Sequence, residues 1–297
     1  MLAIVIAAFL IAGSGAGRPP DGAGSAAATD STAWQVEALL ARSYAGGWNT
    51  LPIGERLARF GRRMEGIPYV TGTLEAPGGE TCRVTLQGLD CVTFFETCLG
   101  LARVMVRPSG AAAPTLEDLE SEITFMRYRG GRLTDYTSRL HYTAEWIADN
   151  VAKRVADDIT PSLGGVRLPV RVDFMSTHPG AYPALAATPG FVPVIRRIER
   201  RIGAIPRTYV PRARVAGIEP RLRTGDIIAI ATSIRGLDYS HTGVIDRGAD
   251  GLARLLHASS AQGRVVLDTT IGAYLARGPR SNIGITVVRP RAIRERN

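Results

Sequence analysis

The chain has 297 residues, 45% of them hydrophobic and 21% charged, and this suits a globular protein of one elaborated domain or two small ones. Its formal net charge is +9, and because Lys153 is the only lysine, nearly all of the basic side chains are arginines. This excess positive charge indicates either a solvated basic surface or a surface that attracts an anionic polymer. Neither zinc-finger spacing nor an aromatic RNA-binding motif is present, so no nucleic-acid partner is expected.

The N-terminal segment has the character of an export signal. Residues 2–13 (LAIVIAAFLIAG) are apolar throughout, and a run of about 12 residues fits a signal-peptide core better than a membrane span. No lysine or arginine precedes it, so the usual positive start is missing. We predict a signal peptide over 1–17, a flexible linker over 18–31, a single domain over 32–297, and a periplasmic or secreted protein with no stable membrane span after signal removal.

The first part of the domain is expected to be helical. Apolar residues recur at spacings of three and four over residues 32–67. Residues 66–89 mix β-branched residues with Gly and Pro, which predicts loop and short strands. A second helix is predicted over 90–106, because Asp90 is a good N-cap and the apolar residues after it fall on one side.

The rest of the chain divides into two patterns. Residues 107–222 alternate helical and loop-like stretches and are expected to form an insertion that decorates the core. From residue 223 the hydrophobic pattern changes to period two, which predicts an antiparallel meander. Its four strand-like runs, separated by Gly, Asp and Ser, are residues 225–233, 240–247, 252–260 and 264–270.

Cys91 lies at the first turn of the predicted capped helix. The backbone N–H groups at a helix start carry partial positive charge, which stabilises a thiolate placed there. A thiolate nucleophile also needs a general base and usually a third group that orients that base. The two other cysteines, Cys82 and Cys98, could form a disulfide with each other. Alternatively, Cys98 is a buried helix residue that faces the protein core.

Two of the four histidines lie in the meander. His241 and His257 are each eight residues from Ala249, so a hairpin centred there would place them opposite one another on one face, close enough for their rings to touch. The pattern therefore predicts a Cys91–His241–His257 triad of nucleophile, base and orienting group. A zinc site built from the same three residues remains an alternative.

Several of these motifs resemble those of the NlpC-type cell-wall cysteine peptidases. The matching segments are DCVTF, GDIIAI, SHTGVI and LLHAS. The resemblance implies an α+β, papain-like core in which the nucleophile-bearing helix packs on an antiparallel sheet. It also implies catalytic roles for Cys91, His241 and His257, no cofactor and no metal, and it makes Tyr69, in IPYVTGT, a candidate near the oxyanion site.

Further segments resemble one branch of that superfamily, formerly a domain of unknown function and described as N-acetylmuramoyl-L-alanine amidase-like. They are DCVTFFE, RYRGG, YTSRLHYTAEWIADN, MSTHPGAY and GLDYSHTG. This resemblance implies an exported cysteine amidase that hydrolyses the N-acetylmuramoyl–L-alanine bond of peptidoglycan fragments. An endopeptidase that cuts within the stem peptide, and an inactive wall-binding module, are the alternatives.

Substrate contacts are expected from polar and aromatic residues around the triad. Aromatic rings stack on sugars and guanidinium groups pair with carboxylates, although each such residue is also compatible with a purely structural role. The candidates are Asp90, Glu96, Arg127, Tyr128, Arg139, His141, Trp146, Ser176, His178 and Ser240.

Overall fold

The computed structural model describes residues 25–75, 78–107, 111–169 and 171–292. The predicted signal peptide and the first part of the predicted linker lie outside these residues. The first helix begins at Ser25, so it includes residues 25–31 of the predicted linker. In the described ranges we find no helix with the length and apolar character needed to cross a bilayer.

The described chain folds into helices packed on one antiparallel sheet, an α+β arrangement. The helices are α1 (Ser25–Ala45), α2 (Ile53–Arg63), α3 (Cys91–Val104), α4 (Leu116–Arg127), α5 (Thr143–Ala152), α6 (Phe174–Thr177), α7 (Pro183–Ala187), α8 (Phe191–Ala204), α9 (Arg212–Ile218) and α10 (Ile271–Arg277). The strands are β1 (Ala156–Asp158), β2 (Val166–Arg167), β3 (Thr208–Pro211), β4 (Ile227–Thr232), β5 (Tyr239–Arg247), β6 (Ala253–Ser259), β7 (Arg264–Thr270) and β8 (Asn282–Pro290).

The strand order is β2–β3–β8–β4–β5–β6–β7, with β1 also paired to β8, and the pairs are all antiparallel. The predicted meander is confirmed as β4 to β7. The region 107–222 is not purely helix and loop, because it supplies the three short strands that extend the sheet beyond β8. Strand β8, which is buried along most of its length, was not predicted.

Helix α3 is almost wholly buried, since it packs between α2 and α4 on one side and strands β5 and β6 on the other. A helix buried on all sides needs mainly apolar residues, and the polar ones it buries have to be paired. Helix α3 contributes Phe94, Phe95, Leu99 and Leu101 to the main core. A smaller apolar cluster lies on the opposite face of the sheet beneath α9 and α10. The helix that begins at Cys91 is therefore held rigidly against the strands that carry both histidines.

The Gly-Asp pair before β4 has a structural role. Gly225 adopts a positive φ of 87° and its backbone lies against Gly54, so a Cβ there would be 2.2 Å from the Gly54 Cα. Asp226 accepts hydrogen bonds from Arg289 Nε at 2.7 Å and Nη2 at 2.8 Å. This motif fixes the start of β4 and ties it to β8.

Candidate active site

Cys91 is the first residue of α3, as predicted, and Asp90 caps the helix. Asp90 Oδ1 accepts hydrogen bonds from the N–H groups of Val92 at 2.9 Å and Thr93 at 2.8 Å. The Asp90 N–H donates to the Thr93 hydroxyl at 2.9 Å, which completes a capping box. Because Asp90 is fully buried, its carboxylate serves the helix start, which favours a structural role over substrate contact.

The surroundings of the Cys91 thiol favour its protonated form. Burial raises the pKa of the thiol, the neighbouring Asp90 carboxylate adds to this, and hydrogen bonds with Thr242 act in the opposite direction without reversing it. Burial thus opposes the thiolate, whereas the positive field of the helix start favours it. A base has to remove the proton during attack.

A buried hydrogen bond joins the nucleophile helix to the strand that carries the first histidine. The Thr242 hydroxyl donates to the Cys91 carbonyl oxygen at 2.8 Å. Since Thr242 directly follows His241 in β5, this bond places the first turn of α3 beside that part of the strand.

The two meander histidines contact each other, as predicted. His241 Nε2 and His257 Nδ1 are 2.6 Å apart. The rings are almost perpendicular, at 88°, with centroids separated by 4.8 Å. This distance and orientation are those of a hydrogen bond between one ring's N–H and the other ring's free nitrogen.

The pairing register differs from the prediction by two residues, so the two histidines stay on one face but are not directly opposite each other. Val244 pairs with Leu256, so the hairpin is centred one residue later than the predicted turn centre. Continued along the strands, this register puts Gly243 opposite His257 and makes His241 a diagonal neighbour on the same face. A Cβ at Gly243 would lie 3.0 Å from the His257 Cβ, so glycine leaves room for the imidazole to lean toward its partner.

A β-bulge precedes His241. Ser240 is left out of the β4–β5 pairing, in which Tyr239 and His241 face consecutive residues of β4. The Ser240 hydroxyl donates to Asn282 Oδ1 at 2.8 Å. Such bulges re-aim the neighbouring side chain, so Ser240 is placed to set the direction of His241.

Asp268, which the sequence analysis did not single out, extends the row of histidines onto β7. His257 pairs with Val266, so Asp268, two residues further on, is a diagonal neighbour of His257 on the same face. Its Oδ2 lies 3.5 Å from His257 Nε2, and the two side chains are only 7% and 1% exposed. The available signal was an acid in the last strand of the meander, but its proximity to His257 depends on a register that the sequence does not show.

Tyr274 of α10 covers the imidazole pair. Its ring centroid is 5.2 Å from that of His257 and 6.2 Å from that of His241. Burial, the Cys91 thiol and the Asp268 carboxylate raise the pKa of Tyr274 to about 12. Tyr274 is therefore a common neighbour of the thiol and of both imidazoles.

Tyr69 lies near the start of α3. Its backbone bridges to Leu89, and burial, the Cys91 thiol and the Asp90 carboxylate raise the pKa of its hydroxyl far above the usual value. Tyr69 is therefore a neutral phenol, and its hydroxyl is available as a hydrogen-bond donor.

Both meander histidines are neutral at pH 7. Burial lowers the pKa of His241 well below its ordinary value, and the neighbouring His257 lowers it further. Burial also lowers the pKa of His257 to about 4, although the Asp268 carboxylate acts in the opposite direction. A neutral His241 is in the form that a general base requires.

These shifts predict that the fold is destabilised by mild acid. The unfolded chain binds a proton at His257 with an ordinary pKa near 6.5, whereas the folded chain does so only near pH 4. Stability is therefore highest above pH 6.5 and falls as the pH drops, by about 3 kcal/mol between pH 7 and pH 4 from His257 alone.

Urea unfolding followed by tryptophan fluorescence at several pH values measures this slope. The slope should become shallower in His257→Gln and should be unchanged in His178→Gln, which alters an exposed ring. Equal slopes in the wild type and His257→Gln would contradict a buried neutral imidazole.

Three substrate-contact candidates form a buried ion pair and hydrogen bond. Glu96 accepts from Arg127 Nε at 2.8 Å and from Trp146 Nε1 at 3.0 Å, and each of the three residues is 2% exposed. They line a cavity of about 20 Å³, which has room for a water molecule but not for a sugar ring. This burial favours a structural role for all three.

Arg139 and Tyr128 anchor the loop that precedes α3. Arg139 forms ion pairs with Glu75 at 2.7 Å and Glu80 at 2.6 Å, and the Tyr128 hydroxyl donates to Glu80 Oε1 at 2.8 Å. Both candidates are buried, and their polar atoms contact this loop. They position the chain that leads to Cys91.

The remaining candidates are separate from the imidazole row. His141 is buried with Nε2 2.7 Å from the Tyr136 carbonyl oxygen, and the buried Ser176 donates its N–H to Glu199 at 3.0 Å. His178 is exposed and stacks on Phe174, with ring centroids 4.1 Å apart. Among the described residues, no hydrogen bond, ion pair or ring contact joins these three to Cys91, His241 or His257.

All three cysteines are free. Cys98 is fully buried in the core and contacts Met64 Sδ at 3.7 Å, while half-buried Cys82 lies 3.4 Å from the Glu120 carbonyl oxygen. The alternative of a Cys82–Cys98 disulfide is therefore not realised. Within the described ranges, no three His, Cys, Asp or Glu side chains are grouped so that they would hold a metal ion.

A protein-family model described as N-acetylmuramoyl-L-alanine amidase-like matches residues 59–285. A crystal structure of an N-acetylmuramoyl-L-alanine amidase from Bacteroides uniformis ATCC 8492 is 32% identical to this chain, with a TM-score of 0.73, and the match covers 80% of this chain and 99% of that one. The amidase-like resemblance expected from the motifs is thus confirmed.

Two further structures share the fold. A "putative xylanase" from Bacteroides fragilis is 32% identical, with a TM-score of 0.69 over 77% of this chain and 98% of that one. A protein from Legionella pneumophila str. Philadelphia 1 is 20% identical, with a TM-score of 0.67 over 90% of this chain and 98% of that one, and shows the fold alone. Comparison with curated proteins gave no match.

Proposed function

Because the chain belongs to the N-acetylmuramoyl-L-alanine amidase-like family, we propose that it is an exported cysteine amidase that hydrolyses the N-acetylmuramoyl–L-alanine bond of peptidoglycan fragments. The observation that carries the cysteine mechanism is the 2.6 Å contact between His241 and His257, next to a strand residue bonded to Cys91. Export is supported by the apolar run at residues 2–13.

The proposed reaction begins with proton transfer from sulfur to nitrogen. His241 Nε2 is engaged with His257, so His241 Nδ1 is the ring atom left to accept the Cys91 proton. As the proton leaves, the sulfur attacks the lactyl carbonyl carbon and forms a tetrahedral intermediate. The neutral Tyr69 hydroxyl and the N–H groups at the start of α3 are the donors available to its oxyanion.

The second half of the reaction returns the site to its starting state. The proton on His241 passes to the L-alanine nitrogen, the C–N bond breaks, and the stem peptide leaves with a free amino group. Water then attacks the thioester while His241 takes its proton. The C–S bond breaks, the muramic acid carboxylic acid leaves, and Cys91 regains its thiol.

The carboxylates near the site favour acyl transfer over glycoside hydrolysis. A glycosidase uses two carboxyl groups that face the scissile bond. Of the described carboxylates beside Cys91 and the imidazoles, Asp90 is buried in the helix cap and Asp268 is paired with Arg277. This arrangement supports the amidase name carried by the Bacteroides uniformis structure over the xylanase name.

Defined muropeptides with one sugar end and an intact stem peptide test the proposed reaction. Mass spectrometry should show the complete stem peptide released with a free L-alanine amine, together with muramic acid bearing a free lactyl carboxyl group. A shortened stem still attached to sugar would instead identify the endopeptidase alternative, and binding without any cleavage would identify the wall-binding alternative.

Chemical inhibition separates the thiol mechanism from the zinc alternative. Iodoacetamide should abolish stem-peptide release by alkylating Cys91, and a metal chelator should leave it unchanged. The opposite pattern would contradict the cysteine assignment.

A further inference from the structure

One carboxylate and two imidazoles form a continuous row across three adjacent strands. His241 Nε2 lies 2.6 Å from His257 Nδ1, and His257 Nε2 lies 3.5 Å from Asp268 Oδ2. Each step is a diagonal contact between neighbouring strands. Since a neutral imidazole donates from one nitrogen and accepts at the other, the protonation of each member constrains the next.

Asp268, at the far end of this row, is a hydrogen-bond acceptor and not a donor. Burial alone would raise the pKa of Asp268, but the Thr269 N–H and the Arg277 guanidinium hold that pKa below its usual value. Asp268 Oδ1 accepts from the Thr269 N–H at 2.6 Å and from Arg277. Oδ2 is the oxygen left to face His257, with Gln262 Nε2 3.4 Å away.

His257 Nε2 has no competing partner. It is buried, and apart from Asp268 no described group lies within hydrogen-bond reach of it. The 3.5 Å separation is long for a hydrogen bond, but catalytic contacts of this kind commonly tighten when substrate binds. Orphaned buried N–H groups are costly, so the Nε2 proton belongs toward the carboxylate.

A β-bulge places the carboxylate. Between β6 and β7, Arg254 and Leu256 are separated by one residue, whereas their partners Thr270 and Leu267 are separated by two. The extra residue therefore lies at 268–269, beside the contact with His257. Bulges of this kind re-aim side chains at functional sites.

We infer that Asp268 is a positioning residue that sets the tautomers of both histidines. Its carboxylate selects His257 protonated at Nε2, which leaves His257 Nδ1 to accept from His241 Nε2–H. His241 Nδ1 is then the free base for the Cys91 proton. The inference rests on the proposed function, because the free nitrogen of His241 matters for catalysis only if the thiol reaction occurs there.

Two substitutions of Asp268 should lower kcat by different amounts, and the asparagine variant should be the slower one, which a loss of packing alone would not produce. In Asp268→Asn, Arg277 and the Thr269 N–H retain an oxygen at the Oδ1 position, so the amide NH₂ faces His257 Nε2. His257 must then accept at Nε2, which reverses both tautomers and puts a proton on His241 Nδ1. The reversed tautomer should lower kcat by about 10³–10⁴-fold with little change in KM, as for the asparagine variant of a serine-protease triad.

Asp268→Ala removes the preference for one histidine tautomer without reversing it, because water can occupy the space left by the carboxylate. Its kcat should fall less than that of Asp268→Asn, by about 10–100-fold, which is the range found when the carboxylate that orients a metal-ligating histidine is removed. Asp250→Asn is the matched control, since Asp250 also pairs with an arginine, Arg254, but at the hairpin turn, and it should keep wild-type kcat. All variants should show similar melting temperatures.

Nitrogen-15 NMR of the histidine rings tests the same inference without substrate. His241 and His257 should both carry their proton on Nε2 in the wild type and on Nδ1 in Asp268→Asn. Unchanged tautomers in that variant, or an alanine variant as slow as the asparagine variant, would overturn the inference. If the wild type cleaves no muropeptide, the NMR result still decides the role of Asp268, so the two failures are distinguishable.

Discussion

Replacement of Cys91 by serine is expected to lower the rate of stem-peptide release by at least about 10³-fold while the protein stays folded. Removal of a nucleophile costs orders of magnitude in kcat because the remaining groups act only in concert with it. The substitution changes one atom, and the Thr242 bond to residue 91 uses a backbone oxygen, so the helix start is preserved. The rate is measured by single-turnover release of the stem peptide.

Cys82→Ser is the matched control for this experiment. Cys82 is half-buried and contacts a backbone oxygen of α4, so serine there can make the same contact and should leave the rate unchanged. Near-full activity in Cys91→Ser would contradict the nucleophile assignment. Equal loss in both variants would point to a general structural effect of removing a thiol.

Replacement of Arg127 by methionine is expected to lower the free energy of unfolding by about 3–5 kcal/mol, because it leaves the buried Glu96 carboxylate without its charge partner. Arg127 also donates to the Arg83 carbonyl oxygen at 2.7 Å, so the loop before α3 loses an anchor as well. Urea denaturation monitored by tryptophan fluorescence measures the change.

The double variant Glu96→Gln/Arg127→Met should recover much of that loss. It removes the uncompensated charge, and the glutamine oxygen can still accept the Trp146 N–H that Glu96 now accepts. If instead Arg127→Met leaves stability unchanged and raises KM for muropeptides, Arg127 contacts substrate directly. The structural role favoured by its burial would then be wrong.

Local chemistry made the helix start and the meander predictable. Asp90 followed by an apolar run is a capping signal that acts within one helical turn, and the period-two runs from residue 225 onward form strands wherever one face is buried. Strands β1 to β3 are too short to show such a pattern. They are strands because they pair with β8 or, for β2, with β3, and β8 lies far along the chain. The early start of α1 was missed because Gly, Ala and Ser before residue 32 suggest a linker.

The buried polar network shows what composition leaves open. Aromatic and arginine residues between 127 and 146 have the composition of a sugar-binding surface, yet their partners Glu75, Glu80 and Glu96 take up their polar atoms inside the protein. Composition cannot distinguish a carboxylate of the substrate from one of the chain itself. Only the positions of distant residues decide which one an arginine meets.

Spacing along the chain was enough to place a thiol at a capped helix start and to bring two histidines onto neighbouring strands, since capping and alternation operate over a few residues. The folded arrangement alone showed that the histidines meet diagonally, that bulges at Ser240 and near Asp268 direct the row, and that Asp268 ends it. Cross-strand register is set by packing across the whole sheet, and a shift of one residue changes which side chains meet.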